Sequence, residues 1–278
     1  MEEQAPKLDN IVIGASWTFA ALATISFGLR LWCRLYRVGS LWWDDLVLGI
    51  SVLVIILGAV FITAMFHAGW SLDPVPHGLP VVWFLAAGSC GAIAAGLTKT
   101  AYVVTLMRLT NELWTQRLLW ISVASMNLVL WLGALSGWAR ICEEGPTWML
   151  GTASTGGPYL PGSCWPERHV VRIIFISSVY SGVMDVTLAL CPWAVVRNLH
   201  MHKRHKIGIS TSMSVGALAI GPLVMTIQSF MEKIPKDNPA YSLALRSILI
   251  LGGPSVTVFA QVIPVLRAIF AKYDLKRP

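Results

Sequence analysis

A chain of 278 residues in which 55% of side chains are hydrophobic and 13% charged is no ordinary soluble domain, since those carry roughly 25% charged residues. On so apolar a chain, a net charge of +7 points to basic loops beside a membrane and its lipids, not to a nucleic-acid partner. The five cysteines show no metal-type spacing, and no glycine-rich phosphate loop or nucleophile elbow is present, so no cofactor or metal is expected.

The N-terminal MEEQAPKLDN lacks the basic region of a cleaved signal peptide, so the first apolar segment is expected to remain as a signal anchor. Seven apolar segments follow, near residues 11–32, 46–68, 81–107, 118–138, 170–196, 211–230 and 242–270. They predict an all-α membrane protein: one domain over residues 1–278, built as a seven-transmembrane-helix bundle. Gly221-Pro222 and Gly252-Gly253-Pro254 predict kinks or local unwinding in the sixth and seventh segments. Trp42-Trp43 and Trp165 read as interface anchors, and His67 as a headgroup-level polar cap.

Basic residues set the expected orientation. One side collects Arg30, Arg34, Arg37, Arg108, Arg117, Arg197, Lys203, Arg204, Lys206, Arg267, Lys272, Lys276 and Arg277, the other only Lys7, Arg140, Arg168, Arg172, Lys233, Lys236 and Arg246. The imbalance predicts a cytoplasmic C-terminus and an outside or lumenal N-terminus, in the endoplasmic reticulum or the plasma membrane. The longest loop, 139–169, then faces the oxidising side, where Cys142 and Cys164 form a disulfide or stay as two thiols.

Arg30, Arg34 and Arg37 share one helical face at the inner end of the first segment, and Asp44 and Asp45 open the second. These read as a structural clamp with a helix N-cap; a cytoplasmic active site is the sharper alternative. Inside the spans, Asp185 is the only carboxylate and Lys99 the only lysine. An ionised group at that depth costs at least about 2.5–3.5 kcal/mol, so each needs a partner or a wet cavity. A Lys99–Asp185 pair satisfies both, whether as a lock on helix register or as the heart of a functional cavity. Tyr102, Tyr180, Ser177, Ser178, Ser181, Thr187, Asn127, Gln228 and Gln261 are the polar residues expected around it. Gly88, Ala92 and Gly96 are read as close-packing positions. The tract His200-Met201-His202-Lys203-Arg204-His205-Lys206 reads as a lipid-contacting patch, because its interleaved cations oppose metal ligation.

The succession RLWCRLYRVGSLWWDDLVLG, HAGW, GLTKTAYVVTLMRL, a cysteine-bracketed loop and YSGVMDVTLALCPWAVVRNLHMHKRHKIGISTSMSVG resembles the fungal rhodopsin-domain family, which takes in satratoxin-cluster type membrane proteins and Pth-type receptors. Arg34, Asp44, Asp45, Lys99, Arg108, Cys142, Cys164, Asp185, Pro192 and Lys206 carry the likeness. TIQSF stands where the family usually ends helix six on a basic residue, and the chain shows neither the cysteine-rich module nor the long tail of the receptor branch. The resemblance implies a membrane protein encoded among secondary-metabolite genes. A retinal pigment is not expected, because residues 242–270 hold no lysine for a Schiff base.

Two activities follow as expectations. One is a cofactor-independent cyclase or isomerase that moves protons on a lipophilic intermediate, with Asp185 as acid, a tyrosine (Tyr102 or Tyr180) as relay and Lys99 alongside. The other is a receptor-like binder of a lipophilic ligand. A transporter ranks behind both, since no inverted repeat is evident.

Overall fold

The computed structural model describes residues 5–38, 42–68, 79–107, 113–138, 165–197 and 239–274. Among these residues are six helices and no strand: α1 (Ala5–Val38), α2 (Trp43–His67), α3 (Leu79–Met107), α4 (Leu113–Ser136), α5 (Glu167–Arg197) and α6 (Pro239–Asp274). Five hold runs long and apolar enough to cross a bilayer: Asp9–Leu35, Trp43–His67, Val82–Met107, Trp114–Ser136 and Leu245–Val262. The span read over 170–196 lies within α5. The described residues thus form an all-helical bundle, in a chain with the composition of an integral membrane protein. The sixth apolar segment with Gly221-Pro222, Gln228, Arg108, Cys142, Cys164, Lys206 and the histidine tract lie outside the described residues, as does the side chain of Arg37.

Helices overrun the apolar segments that announced them. α1 starts at Ala5 rather than 11 and ends at Val38 rather than 32, and α6 likewise extends to Pro239 and Asp274. Hydropathy marks only the part of a helix that faces hydrocarbon, whereas backbone hydrogen bonding continues through the interface.

α3 holds the middle of the bundle, against α2, α4, α5 and α6, while α1 packs on α2 and α6. The reason is legible in its side chains. Ala87, Ala94 and Ala101 recur every seven residues and are fully buried, which keeps the central helix slim. Facing them, Leu48, Val52, Ile55, Ala59 and Ile62 form the buried stripe of α2 at alternating spacings of four and three. The opposite faces stay apolar but exposed, as at Leu53 and Leu57 of α2 and Trp120, Leu128 and Trp131 of α4. Such faces suit lipid and not water.

Gly252-Gly253-Pro254 does not break α6, which runs as helix through all three. Pro254 has no N–H for the carbonyl of Ile250, so that oxygen is left over. It is turned toward Gly91 of α3, where a Cβ would lie 2.9 Å from it and 2.5 Å from Ile250 Cγ2. The missing side chain admits the carbonyl and places a Cα–H of Gly91 against it. Gly96 is tight too, against Asn127, but Gly88 has open space beside it, so close packing falls on Gly91 and Gly96.

Candidate functional site

Two polar centres lie within the bundle. The first joins the end of α1 to the start of α2. Arg30 Nη2 bonds Asp44 Oδ2 at 2.8 Å and its Nε bonds Asp45 Oδ1 at 3.1 Å, while Arg34 reaches the same two carboxylates at 2.6 and 2.7 Å. Thr105 of α3 donates to Asp44 at 3.0 Å, and Arg30 Nη1 donates to the Gln261 carbonyl of α6 at 3.4 Å. Arg30, Asp44 and Asp45 are buried at 1%, 0% and 2% exposure, so the cluster closes on itself with its charges balanced. Neither aspartate caps α2. Trp42 holds the N-cap position in an extended conformation without a side-chain cap bond, because the carboxylates are drawn to the arginines. What the cluster does is tie four helices together.

The second centre links α3 to α5. Lys99 Nζ lies 3.0 Å from Asp185 Oδ2, donates to the Ser181 carbonyl at 2.9 Å, and donates to Ser181 Oγ as well. An ammonium has three hydrogens, and here three acceptors take them. The lysine side chain reaches across the turn of depth that separates it from Asp185 in sequence. Lys99 is 5% exposed, but Asp185 keeps 19% of its side chain accessible. One turn along the same seam, Tyr102 OH donates to the Leu188 carbonyl at 3.5 Å. The backbones of α3 and α5 come near one another at few positions, and these long side chains bridge them beside a buried apolar cluster that includes Val103, Leu106 and Leu188.

Among the described polar residues expected around the pair, Ser181 bonds Lys99 directly. Tyr180 is turned to α4, where its OH meets Ser125 Oγ at 2.8 Å. Five residues separate it from Asp185, about 140° around a helix, so the two cannot share a face. Ser177 bonds the Val129 carbonyl of α4, Ser178 and Thr187 bond their own helix, and Asn127 bonds Thr100. Gln261 faces α3 through Thr98, away from the pair. No residue pattern signals the bond from Lys99 to a main-chain carbonyl, since every residue carries that group.

Chemically, the second centre is a carboxylate with a fixed counter-ion and an accessible flank. A carboxylate already committed to an ammonium is poorly placed to hand out a proton, so the geometry fits a base or acceptor better than an acid. Among the described residues no group of three or more His, Cys, Asp or Glu side chains converges to hold a metal ion.

The family model for the fungal rhodopsin domain matches residues 29–272, taking in both polar centres. No curated protein and no solved structure matches the chain.

Proposed function

The chain belongs to the fungal rhodopsin-domain family, and from that premise we propose that it acts on a lipophilic small molecule at the Lys99–Asp185 centre. The observation that carries this reading is the contrast within the pair: all three hydrogens of Lys99 are engaged, while Asp185 remains partly accessible. Asp185 takes a proton from the bound molecule and returns it at another atom, so a cyclisation or isomerisation proceeds with no atom gained or lost. Lys99 orients the carboxylate and balances its charge, and Ser181 fixes Lys99. Tyr102 stands one turn away on the same seam, whereas Tyr180, engaged with α4, has no part in the step. Placement in secondary metabolism rests on the resemblance carried by the sequence motifs.

A second reading, a receptor-like sensor, is favoured by one feature. Since Lys99 and Tyr102 of α3 bond to α5, a ligand competing for Asp185 would alter how the two helices sit. Deletion of the gene followed by metabolite profiling separates the two. Accumulation of one precursor, reversed by the natural chain and not by Asp185→Ala, supports conversion; an unchanged profile refutes it and leaves sensing.

A further inference from the structure

Gln261 lies on α6 at 6% exposure, between the ion cluster at the end of α1 and the middle of α3. Its Nε2 donates to the Thr98 carbonyl at 2.8 Å. That bond settles which way the amide faces, because turning it over would set Oε1 against an oxygen that can only accept. Oε1 is then buried and has no hydrogen-bond partner. The two nearest hydroxyls on this seam cannot supply one. Thr98 Oγ1 donates to the Ala95 carbonyl at 3.0 Å, and Thr257 Oγ1 gives its single hydrogen to the Pro254 carbonyl at 2.7 Å or to Thr98 Oγ1 at 3.3 Å. Thr257 precedes Gln261 by four residues, so both stand on one face of α6.

The seam therefore holds an excess of acceptors: Gln261 Oε1 without a donor, and threonine oxygens with lone pairs to spare. Whatever fills the deficit must bring hydrogens and must be small, because Gln261 and Thr98 are both buried. Water meets both conditions, and buried polar groups short of a partner are its usual sites. We propose that one internal water sits between α3 and α6, donating to Gln261 Oε1 and to the hydroxyl oxygen of Thr98 or Thr257. It completes a polar seam that runs from Thr257 and Thr98 through Gln261 to Arg30 and Asp44, so that the middle of α6 is tied to the ion cluster. This site is separate from the Lys99–Asp185 centre and does not depend on the activity proposed for it.

The test is an experimental density map of the natural chain in lipid, fine enough to show internal waters, recorded in sodium and in sodium-free buffer. The expected result is a peak at the distance of an O–H···O bond, about 2.5–3.0 Å, from Gln261 Oε1 in both buffers. A Gln261→Met variant is expected to lose the peak while Thr98 and Thr257 stay in place; should that variant fail to fold, the natural chain alone decides. No peak in a map that resolves other internal waters overturns the proposal. So does a peak that survives in Gln261→Met, or one at shorter distances whose occupancy follows sodium, which would be a cation.

Discussion

Lys99 Nζ and Asp185 Oδ2 meet at 3.0 Å although they belong to α3 and α5, whose backbones come near each other at few positions. Removing one partner leaves the other charge, largely buried, without its counter-ion. Asp185→Leu or Lys99→Met alone is therefore expected to cost on the order of 3 kcal/mol, read as a lower melting temperature in detergent or nanodiscs. The double variant Lys99→Met/Asp185→Leu, which leaves no charge behind, is expected to recover most of that loss. Single variants as stable as the natural chain would show that the pair does not hold these helices.

Ser181 offers Lys99 two acceptors, its hydroxyl and its carbonyl. Ser181→Ala removes only the first, so a modest loss of about 0.6 kcal/mol is expected, the scale of side-chain bonds between membrane helices. A loss as large as that of Asp185→Leu would mean that the hydroxyl, and not the carboxylate, is the main partner of the ammonium.

Arg30 is the more deeply buried of the two arginines, at 1% exposure against 14% for Arg34. Arg30→Met is expected to destabilise by about 3–5 kcal/mol, since it leaves two buried carboxylates to the more exposed Arg34 alone. Arg34→Met is expected to cost less, because Arg30 still serves both. Arg30→Lys should rescue poorly: a point charge cannot reach two carboxylates, Thr105 and the Gln261 carbonyl in the planar fork that Arg30 uses. Thermal melts of the three variants, ranked in that order, check it.

Gly91 admits the Ile250 carbonyl that Pro254 leaves without a donor. Gly91→Ala must push α3 from α6 and is expected to cost about 1–3 kcal/mol. Gly88→Ala, with nothing within 4 Å of the new methyl, is expected to be neutral or slightly favourable. Equal melting temperatures for the two alanine variants would contradict the close approach.

What the sequence disclosed follows from scarcity. With one carboxylate and one lysine inside the spans, Asp185 and Lys99 had few partners but each other, and the helical face shared by Ser181 and Asp185 was visible in their spacing. Tyr180 is near Asp185 in sequence but not in space, because five residues leave two side chains about 140° apart around a helix. Asp44 and Asp45 looked like caps because carboxylates suit a helix start; two arginines outweighed that preference, and Trp42 took the cap. Gly91 was passed over in favour of Gly88 because α3 is rich in small residues, and only the position of Ile250 on α6 distinguishes them. The local unwinding expected at Gly252-Gly253-Pro254 did not occur in α6, since a neighbouring helix can receive the carbonyl that proline frees.

The account turns on Asp185 serving chemistry and not only cohesion. The direct measurement is complementation of a deletion strain by the Lys99→Met/Asp185→Leu double variant, with its amount in the membrane verified by blotting. The expected result is a normally folded, normally abundant protein and a metabolite profile that stays that of the deletion. A double variant that restores the natural profile in full would contradict it, and would reduce the pair to a fastening between α3 and α5.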